Sequence, residues 1–219
     1  MHQGLGKFYG VTDWIARLAV VNVLWLLFSF PIVLLLLNMI VTGVNAVLLA
    51  GIIILTPFVV FPASTALFAC IRDWILDRDQ HSIFSSFCRY YVRNYRKSCI
   101  SGILLTAVWT IWGIDYYYLS SRNVMLLFVF LVFGLILFVY TIHFFSMLAH
   151  FEMNLRMLWK NAFLLTLGRP LLTVVISLVS VVILYVSING LLFLLPFFTG
   201  SLIAFLSFSI FYRWYLHFI

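Results

Sequence analysis

Two histidines are the most chemically distinctive side chains in this sequence. His143 and His150 are seven residues apart, so on a helix they share one face and lie about 10 Å apart. At that distance they cannot bind one metal ion without further ligands, for which Glu152 and His217 are candidates. The alternative is that the histidines are hydrogen-bonded between helices, to neighbours such as Ser146. We expect this second arrangement, and therefore no metal and no cofactor.

Motifs of catalysis are missing from the sequence. There is no Ser/His/Asp order, HExxH, CxxC or GxxxxGK[ST], and the GLGKF stretch at 4–8 lacks the rest of a phosphate-binding loop. Charged side chains are also missing from the centre of the long apolar runs: Asp115 lies near the end of one, and Glu152 lies just beyond another. Because an ion-coupled pump needs such charges and a hydrolase needs such motifs, we predict that the chain is not an enzyme.

Composition indicates an integral membrane protein. Hydrophobic residues make up 65% of the 219 residues and charged residues 9%, against about 45–50% and 25% in soluble domains. A membrane span takes about 20 residues, which leaves no room for a second large domain, so residues 1–219 are expected to form a single membrane domain. The formal charge of +7 does not indicate nucleic acid, because the basic residues lie in the connections between apolar runs.

The apolar runs predict a polytopic bundle of transmembrane helices. Inside a bilayer every backbone N–H and C=O must be bonded within the protein, so runs this long and this apolar are expected to be helices, and the fold class is all-α. Runs long enough to cross about 30 Å of hydrocarbon predict about six spans. These lie near residues 17–37, 44–71, 100–118, 124–147, 171–188 and 191–212.

The basic residues predict the orientation of these spans. With the N-terminus in the cytoplasm, twelve of the 13 Lys and Arg residues fall on the cytoplasmic side, and only Arg122 falls outside. Because positive charge accumulates in cytoplasmic loops, both termini are predicted to be cytoplasmic. Cys70, Cys88 and Cys99 then face a reducing compartment, and no disulfide framework is expected.

Two cytoplasmic segments are predicted to be amphipathic helices. In residues 78–98 aromatic side chains recur on one face and basic side chains on the other, and residues 152–168 also have helical spacing. Such helices suit the inner headgroup layer with its anionic lipids, or they form a docking surface for another protein. With the end of the second span, they supply the expected lipid or partner contacts: Arg72, Asp73, Trp74, Arg89, Arg93, Arg96, Lys97, Arg156 and Lys160.

The second predicted span contains two prolines, Pro57 and Pro62, and the short polar run Ser64 and Thr65 follows. Proline removes a backbone hydrogen bond and kinks a helix, which can open a polar pocket between spans. We expect a structural kink. The alternative is a binding pocket formed by Pro62, Ser64, Thr65 and His143.

Four stretches of the sequence carry a resemblance to a known family. They read WIARLAVVNVLWLLFSFPI from Trp14, FPASTALFACIRDW from Phe61, SIFSSFCRYYVRNYRKS from Ser82 and LWKNAFLLTL from Leu158. Together they resemble the YesL family of bacterial membrane proteins. The resemblance implies a plasma-membrane protein of Firmicute-type bacteria, often encoded beside carbohydrate ABC importers and polysaccharide-degrading enzymes, and it implies no catalytic residue. This sequence departs from the family in a longer connection across residues 32–60.

These features lead to three functional hypotheses. We expect a non-enzymatic accessory subunit that contacts a carbohydrate ABC permease, another membrane partner or a second copy of itself through its basic cytoplasmic helices. The alternative is a small transporter or channel whose path runs beside the second span. The third hypothesis, an intramembrane enzyme, requires a metal held by His143, His150 and Glu152.

Overall fold

The chain folds into helices throughout the computed structural model, which describes residues 2–78, 82–119 and 124–216, with side chains from residue 12 onward. No strand occurs in these ranges, which confirms the all-α prediction. The helices are α1 His2–Phe28, α2 Phe30–Thr42, α3 Ala46–Ile75, α4 Ile83–Leu119, α5 Val124–His150, α6 Leu155–Gly168, α7 Pro170–Asn189, α8 Leu194–Phe197 and α9 Thr199–Leu216.

The apolar helices make the chain a membrane protein. Within the described ranges four helices, α3, α4, α5 and α7, are long and apolar enough to cross a membrane, and the bent pair α1 and α2 adds a fifth span if it is counted as one. The structure therefore has fewer spans than the six expected from the apolar runs. The difference lies at the two ends of the chain, where proline interrupts the helices.

The first predicted span, 17–37, consists of two helices. α1 and α2 meet at Ser29 and are bent by 77°. Pro31 lies in the first turn of α2, where its missing N–H is harmless, but it cannot donate the bond that would continue α1. The Ser29 N–H still donates to the Trp25 carbonyl (3.0 Å), while the Ser29 carbonyl accepts from Ile32 (3.0 Å) and begins α2.

The last predicted span, 191–212, is also divided. Helices α8 and α9 are separated at Phe198, just after Pro196. Asn22 of α1 bonds to both sides of this break: its Nδ2 donates to the Pro196 carbonyl (2.7 Å), and its Oδ1 accepts the N–H of Ser201 (2.9 Å) in the first turn of α9. With 18 residues, α9 is not among the helices apolar enough to count as a span.

The predicted amphipathic segment 78–98 and the predicted span 100–118 belong largely to one continuous helix, α4, which has 37 residues. A helix of that length is about 55 Å long, nearly twice the roughly 30 Å of hydrocarbon. Its polar first half must therefore extend beyond the apolar layer. That half lies at the end of the bundle where α3 and α5 end.

Helices α3 and α4 are the most extensively packed pair in the bundle. α3 is continuous through Pro57 and Pro62, so the prolines do not divide it as they divide the ends of the chain. Gly102 of α4 allows the close approach, since a Cβ there would lie 2.9 Å from the Pro57 Cα and 2.9 Å from the Cγ of Phe61. Small residues at such contacts let membrane helices pack backbone to backbone.

Replacing Gly102 with Ala is expected to force α3 and α4 apart, because the new methyl group would overlap the Pro57 backbone. We expect the free energy of unfolding to fall by about 1–3 kcal/mol, the usual effect of overpacking, as measured by denaturant unfolding in mild detergent. Gly113→Ala is the matched control, since a Cβ at Gly113 meets no atom within 4 Å. Equal stability of the two variants would contradict the close contact.

Candidate functional site

A polar cavity of about 590 Å³ lies at the end of the bundle where α3 and α5 end, beside the polar half of α4. We call it the charged cavity. It is lined by Arg72, Asp73, Arg78, Tyr90, Arg93, Asn94, Lys97, Leu148, Ala149, His150, Phe151 and Glu152. Four cations and two carboxylates line it, so its formal charge is +2 with the histidine neutral.

Asp73 lies buried in the wall of the charged cavity and holds three helices together. Its Oδ1 accepts from Arg72 Nη2 at 2.5 Å and from Arg72 Nε at 2.9 Å. Its Oδ2 accepts from the hydroxyl of Tyr90 on α4. Arg72 Nη1 also donates to the carbonyl of Ala149 near the end of α5. The two charged side chains are only 13% and 11% exposed, so this network joins α3, α4 and α5 where water is largely excluded.

A second ion pair lies at the rim of the charged cavity. Arg93 Nη2 is 2.6 Å from Glu152 Oε1, and the two side chains are 53% and 84% exposed. Nearby, Lys97 Nζ donates to the carbonyl of Met153 (3.2 Å). Exposed ion pairs contribute only about 0–1 kcal/mol. These contacts therefore orient the connection between α5 and α6 against α4 more than they stabilise the fold.

Two cations of the charged cavity have no carboxylate partner. The other two are paired in the networks above, but no ion pair within residues 2–78, 82–119 and 124–216 includes Arg78 or Lys97. The backbone of Arg78 is fixed, because its N–H donates to the Asp73 carbonyl at 2.9 Å. Positive charge thus remains in the cavity that the protein's own carboxylates do not neutralise.

The histidines do not share a site. His143 is buried, and its Nδ1 lies 3.0 Å from the hydroxyl of Thr166 on α6. The ring of His150 instead lies among the rings of Phe151, Phe208, Phe211, Tyr212 and Tyr215, at centroid distances of 4.6–6.4 Å. Over the described ranges no group of three or more His, Cys, Asp or Glu side chains is placed to hold a metal. His217 lies outside these ranges.

Two of the expected contact residues are buried. Asp73 and Trp74 are each 7% exposed, so in this structure neither is presented to lipid or to a partner. Asp73 is occupied by its ion pair. The Trp74 ring meets Trp14 of α1 edge to face, with centroids 6.3 Å apart, and the Arg17 guanidinium lies 6.0 Å from its centroid. Both side chains act inside the bundle because their neighbours come from distant parts of the sequence.

The other expected contacts divide into two groups. Arg72, Arg93 and Lys97 line the charged cavity. The remaining basic residues of α4 and α6 are exposed outside it, and we call them the basic surface: Arg89, Arg96, Arg156 and Lys160. The two helices that carry this surface contact each other, since Trp159 Nε1 of α6 donates to Ser101 Oγ of α4 at 3.3 Å.

The four candidate pocket residues are not brought together. A second cavity of about 860 Å³, the lateral cavity, lies beside α3, with walls from α4 and α5 that are mainly apolar and aromatic. Ser64 lines it and accepts a hydrogen bond from Trp25 Nε1 at 3.0 Å. Thr65 is instead bonded to the Ser98 hydroxyl at 2.8 Å in a buried contact, and neither Pro62 nor His143 lines this cavity.

Sequence reasoning missed Tyr90 and Asn94 as members of the charged cavity. A signal was present, because Tyr90, Arg93, Asn94 and Lys97 are spaced i, i+3, i+4 and i+7 and so form a polar stripe on one helix face. The partner of that stripe had no signal. Asp73 belongs to a different helix, and nothing in the sequence spacing indicates that its carboxylate meets this face.

Comparison with known proteins finds similarity without a known activity. The profile of a family described as "Protein of unknown function, DUF624" matches residues 18–116. "Uncharacterized protein YteU" of Bacillus subtilis (strain 168) is 28% identical over 160 residues, which cover 71% of this chain and 62% of that protein. "Uncharacterized protein YesL" of the same organism is 29% identical over 155 residues, which cover 70% and 62%. The aligned part of the chain thus spans 62% of the length of these relatives. No solved structure matches.

Asp73→Asn is expected to destabilise the protein, because it leaves the Arg72 charge in a largely buried site without its counterion. Breaking a buried pair in this way typically costs about 3–5 kcal/mol, so we expect a loss near the lower limit in denaturant unfolding. Asp13→Asn is the matched control: its pair with Arg17 is 2.7 Å long, but the side chains are 58% and 32% exposed, and about 0–1 kcal/mol is expected. Similar losses for both variants would show that the Asp73 network does not hold the helices.

Proposed function

Because the chain belongs to a YesL-like family of membrane proteins of unknown function, we propose its role from the physical character of its charged end. The proposal is that this protein is a non-enzymatic accessory subunit that docks onto another membrane component through the basic surface. The observation that carries the proposal is the exposure of four basic side chains on two helices that contact each other at one end of the bundle. Their charge is not used in any recorded ion pair of the described residues.

The proposal places the basic surface in the cytoplasm. Positive charge accumulates on the cytoplasmic side of membrane proteins, and the α3 to α4 and α5 to α6 connections contain most of the chain's basic residues. Arg122, the one basic residue assigned to the other side, lies outside the described residues. In this orientation the protein sits in the bacterial plasma membrane, with both of its termini on the cytoplasmic side.

The chemistry of the basic surface defines its partner. An array of Arg and Lys attracts acidic protein surfaces and anionic lipid headgroups, by about 1 kcal/mol for each basic side chain close to an anionic membrane. Exposed apolar side chains accompany the charges, with Met157 55% and Phe163 54% exposed on α6. We infer that the surface lies at the headgroup layer and meets a membrane protein there. The resemblance to the YesL family favours a carbohydrate ABC permease, and a second copy of the chain is the other candidate.

Transport beside α3 is less well supported. A hydrated solute needs free polar groups along its path, but the hydroxyls of the lateral cavity are largely engaged. Thr110 Oγ1 donates to the Thr106 carbonyl at 2.8 Å, and Thr141 Oγ1 donates to the Leu137 carbonyl at 2.8 Å. Saturable sugar uptake by proteoliposomes that contain the pure protein would nevertheless favour transport over docking.

Charge reversal on the basic surface tests docking. We expect Arg96→Glu and Arg156→Glu, each made alone, to lower recovery of the partner about fivefold, the equivalent of ~1 kcal/mol, when tagged protein is purified from native membranes in mild detergent. Arg213→Glu is the matched control, because Arg213 is exposed on α9, away from α4 and α6. The proposal fails if the tagged wild-type protein emerges alone while established membrane complexes of the same cells survive purification.

Single cysteines test the orientation. In a Cys88→Ser background, we expect Ser82→Cys, just before α4, to escape a membrane-impermeant maleimide in intact cells and to react in inverted vesicles. Val124→Cys is the matched control at the opposite end of the bundle: Val124 is 84% exposed at the start of α5, and it should react in intact cells. Reaction of the cysteine at 82 from outside would reverse the orientation and remove the cytoplasmic docking proposal.

A further inference from the structure

The charged cavity contains more cationic groups than its own carboxylates neutralise. Asp73 and Glu152 each already accept from one arginine, at 2.5 Å and 2.6 Å. Arg78 and Lys97 also line the cavity, and neither is paired with a carboxylate among the described residues. An incoming anion would therefore meet two available cations, while the carboxylates that would repel it are screened by their arginine partners.

The walls of the charged cavity are held in place before any ligand arrives. Arg72 is bonded both to Asp73 and to the Ala149 carbonyl, so its guanidinium cannot swing out toward bulk water. Arg78 is anchored through its backbone N–H. Such preorganisation lowers the entropy lost when a ligand is bound. The site therefore combines fixed cations with side chains that are free to reorient.

Further polar groups line the charged cavity. Asn94 contributes an amide that appears in no hydrogen bond of the described residues. His150 Nδ1 is buried and has no hydrogen-bond partner within the described part of the chain. An imidazole nitrogen can donate or accept according to its tautomer, and an amide can do both. These groups supply hydrogen bonds in addition to the charges.

We propose that the charged cavity binds a phosphoryl group, with Arg78 and Lys97 as its main contacts. Guanidinium and ammonium groups form short, charge-assisted hydrogen bonds to phosphoryl oxygens, and arginine matches their geometry with paired donors. A volume of about 590 Å³ lies within the roughly 300–1,000 Å³ of small-molecule sites. It holds more than a phosphate ion, so the ligand is a phosphorylated molecule.

Two sources can supply this phosphoryl group. The charged cavity lies where α3 and α5 end, so it can receive the headgroup of an anionic phospholipid from the membrane or a phosphorylated small molecule from the aqueous phase. The chemistry at Arg78 and Lys97 is the same for both. The proposal does not depend on docking, because none of the four basic-surface residues lines the cavity.

The experiment uses the purified full chain with two probes. Inorganic phosphate is titrated in neutral detergent, against chloride at equal ionic strength, and binding is followed by the rise in unfolding temperature. In parallel, the chain is placed in nanodiscs of phosphatidylcholine with or without phosphatidylglycerol, and retained lipid is counted by native mass spectrometry. A saturable effect of phosphate alone assigns a soluble ligand, whereas retention of phosphatidylglycerol assigns a lipid. Either result supports the proposal.

Variants separate the charged cavity from general electrostatic attraction. Arg78→Gln with Lys97→Gln should weaken binding of the effective probe at least about tenfold, since two charge-assisted contacts are removed. Arg96→Gln with Arg156→Gln removes the same charge from the basic surface and should leave binding within about twofold, the change expected when no contact is lost. Arg78→Gln alone is the second test variant, because its side chain makes no hydrogen bond in the described structure that folding would lose.

Two results would overturn the proposal. One is the absence of saturable binding of both probes by the folded wild-type protein. The other is equal weakening by the cavity variant and the basic-surface variant, which would show that the anions respond only to net charge. Docking is judged independently, because the Arg96 and Arg156 changes should reduce partner recovery while phosphoryl binding persists.

Discussion

The charged end of this bundle depends on the neutralisation of one buried carboxylate. Asp73 lies at the end of a membrane helix, where an uncompensated charge would cost several kcal/mol. Arg72 supplies the opposite charge and Tyr90 supplies a further donor. Because Arg72 also bonds to the Ala149 carbonyl, neutralising this carboxylate joins the ends of three helices. The position of the polar half of α4, and with it the shape of the charged cavity, follows from that network.

The same network divides the basic residues by role. Cations that meet carboxylates become structural, and the bond of Arg72 to α5 shows how such a pair connects helices. Cations without such partners, at Arg78 and Lys97 in the cavity and on the basic surface outside it, keep their charge available. Both proposals, docking outside the cavity and phosphoryl binding within it, rest on this distinction. A membrane protein with little intramembrane charge can therefore place its recognition chemistry at one end.

Proline has opposite effects in different parts of the chain. Near Ser29 and near Phe198 the helix is interrupted, but α3 continues through Pro57 and Pro62. The neighbouring structure accounts for the difference. α3 packs closely along α4, with Gly102 directly against Pro57 and Phe61, and tertiary packing can hold a proline-containing helix together when carbonyls lose their partners. At Pro196 the break is instead stabilised by bonds to Asn22.

The sequence by itself determined the helical class, the membrane environment and the concentration of basic residues in two connections, because hydrophobicity and charge are local properties that a bilayer sorts directly. It also contained the polar stripe of α4. It did not determine how α1 and α9 are interrupted, that Trp74 is covered by Trp14, or that Asp73 meets Tyr90. Only the tertiary structure decided these points, since each depends on contacts between helices whose relative placement no local pattern specifies.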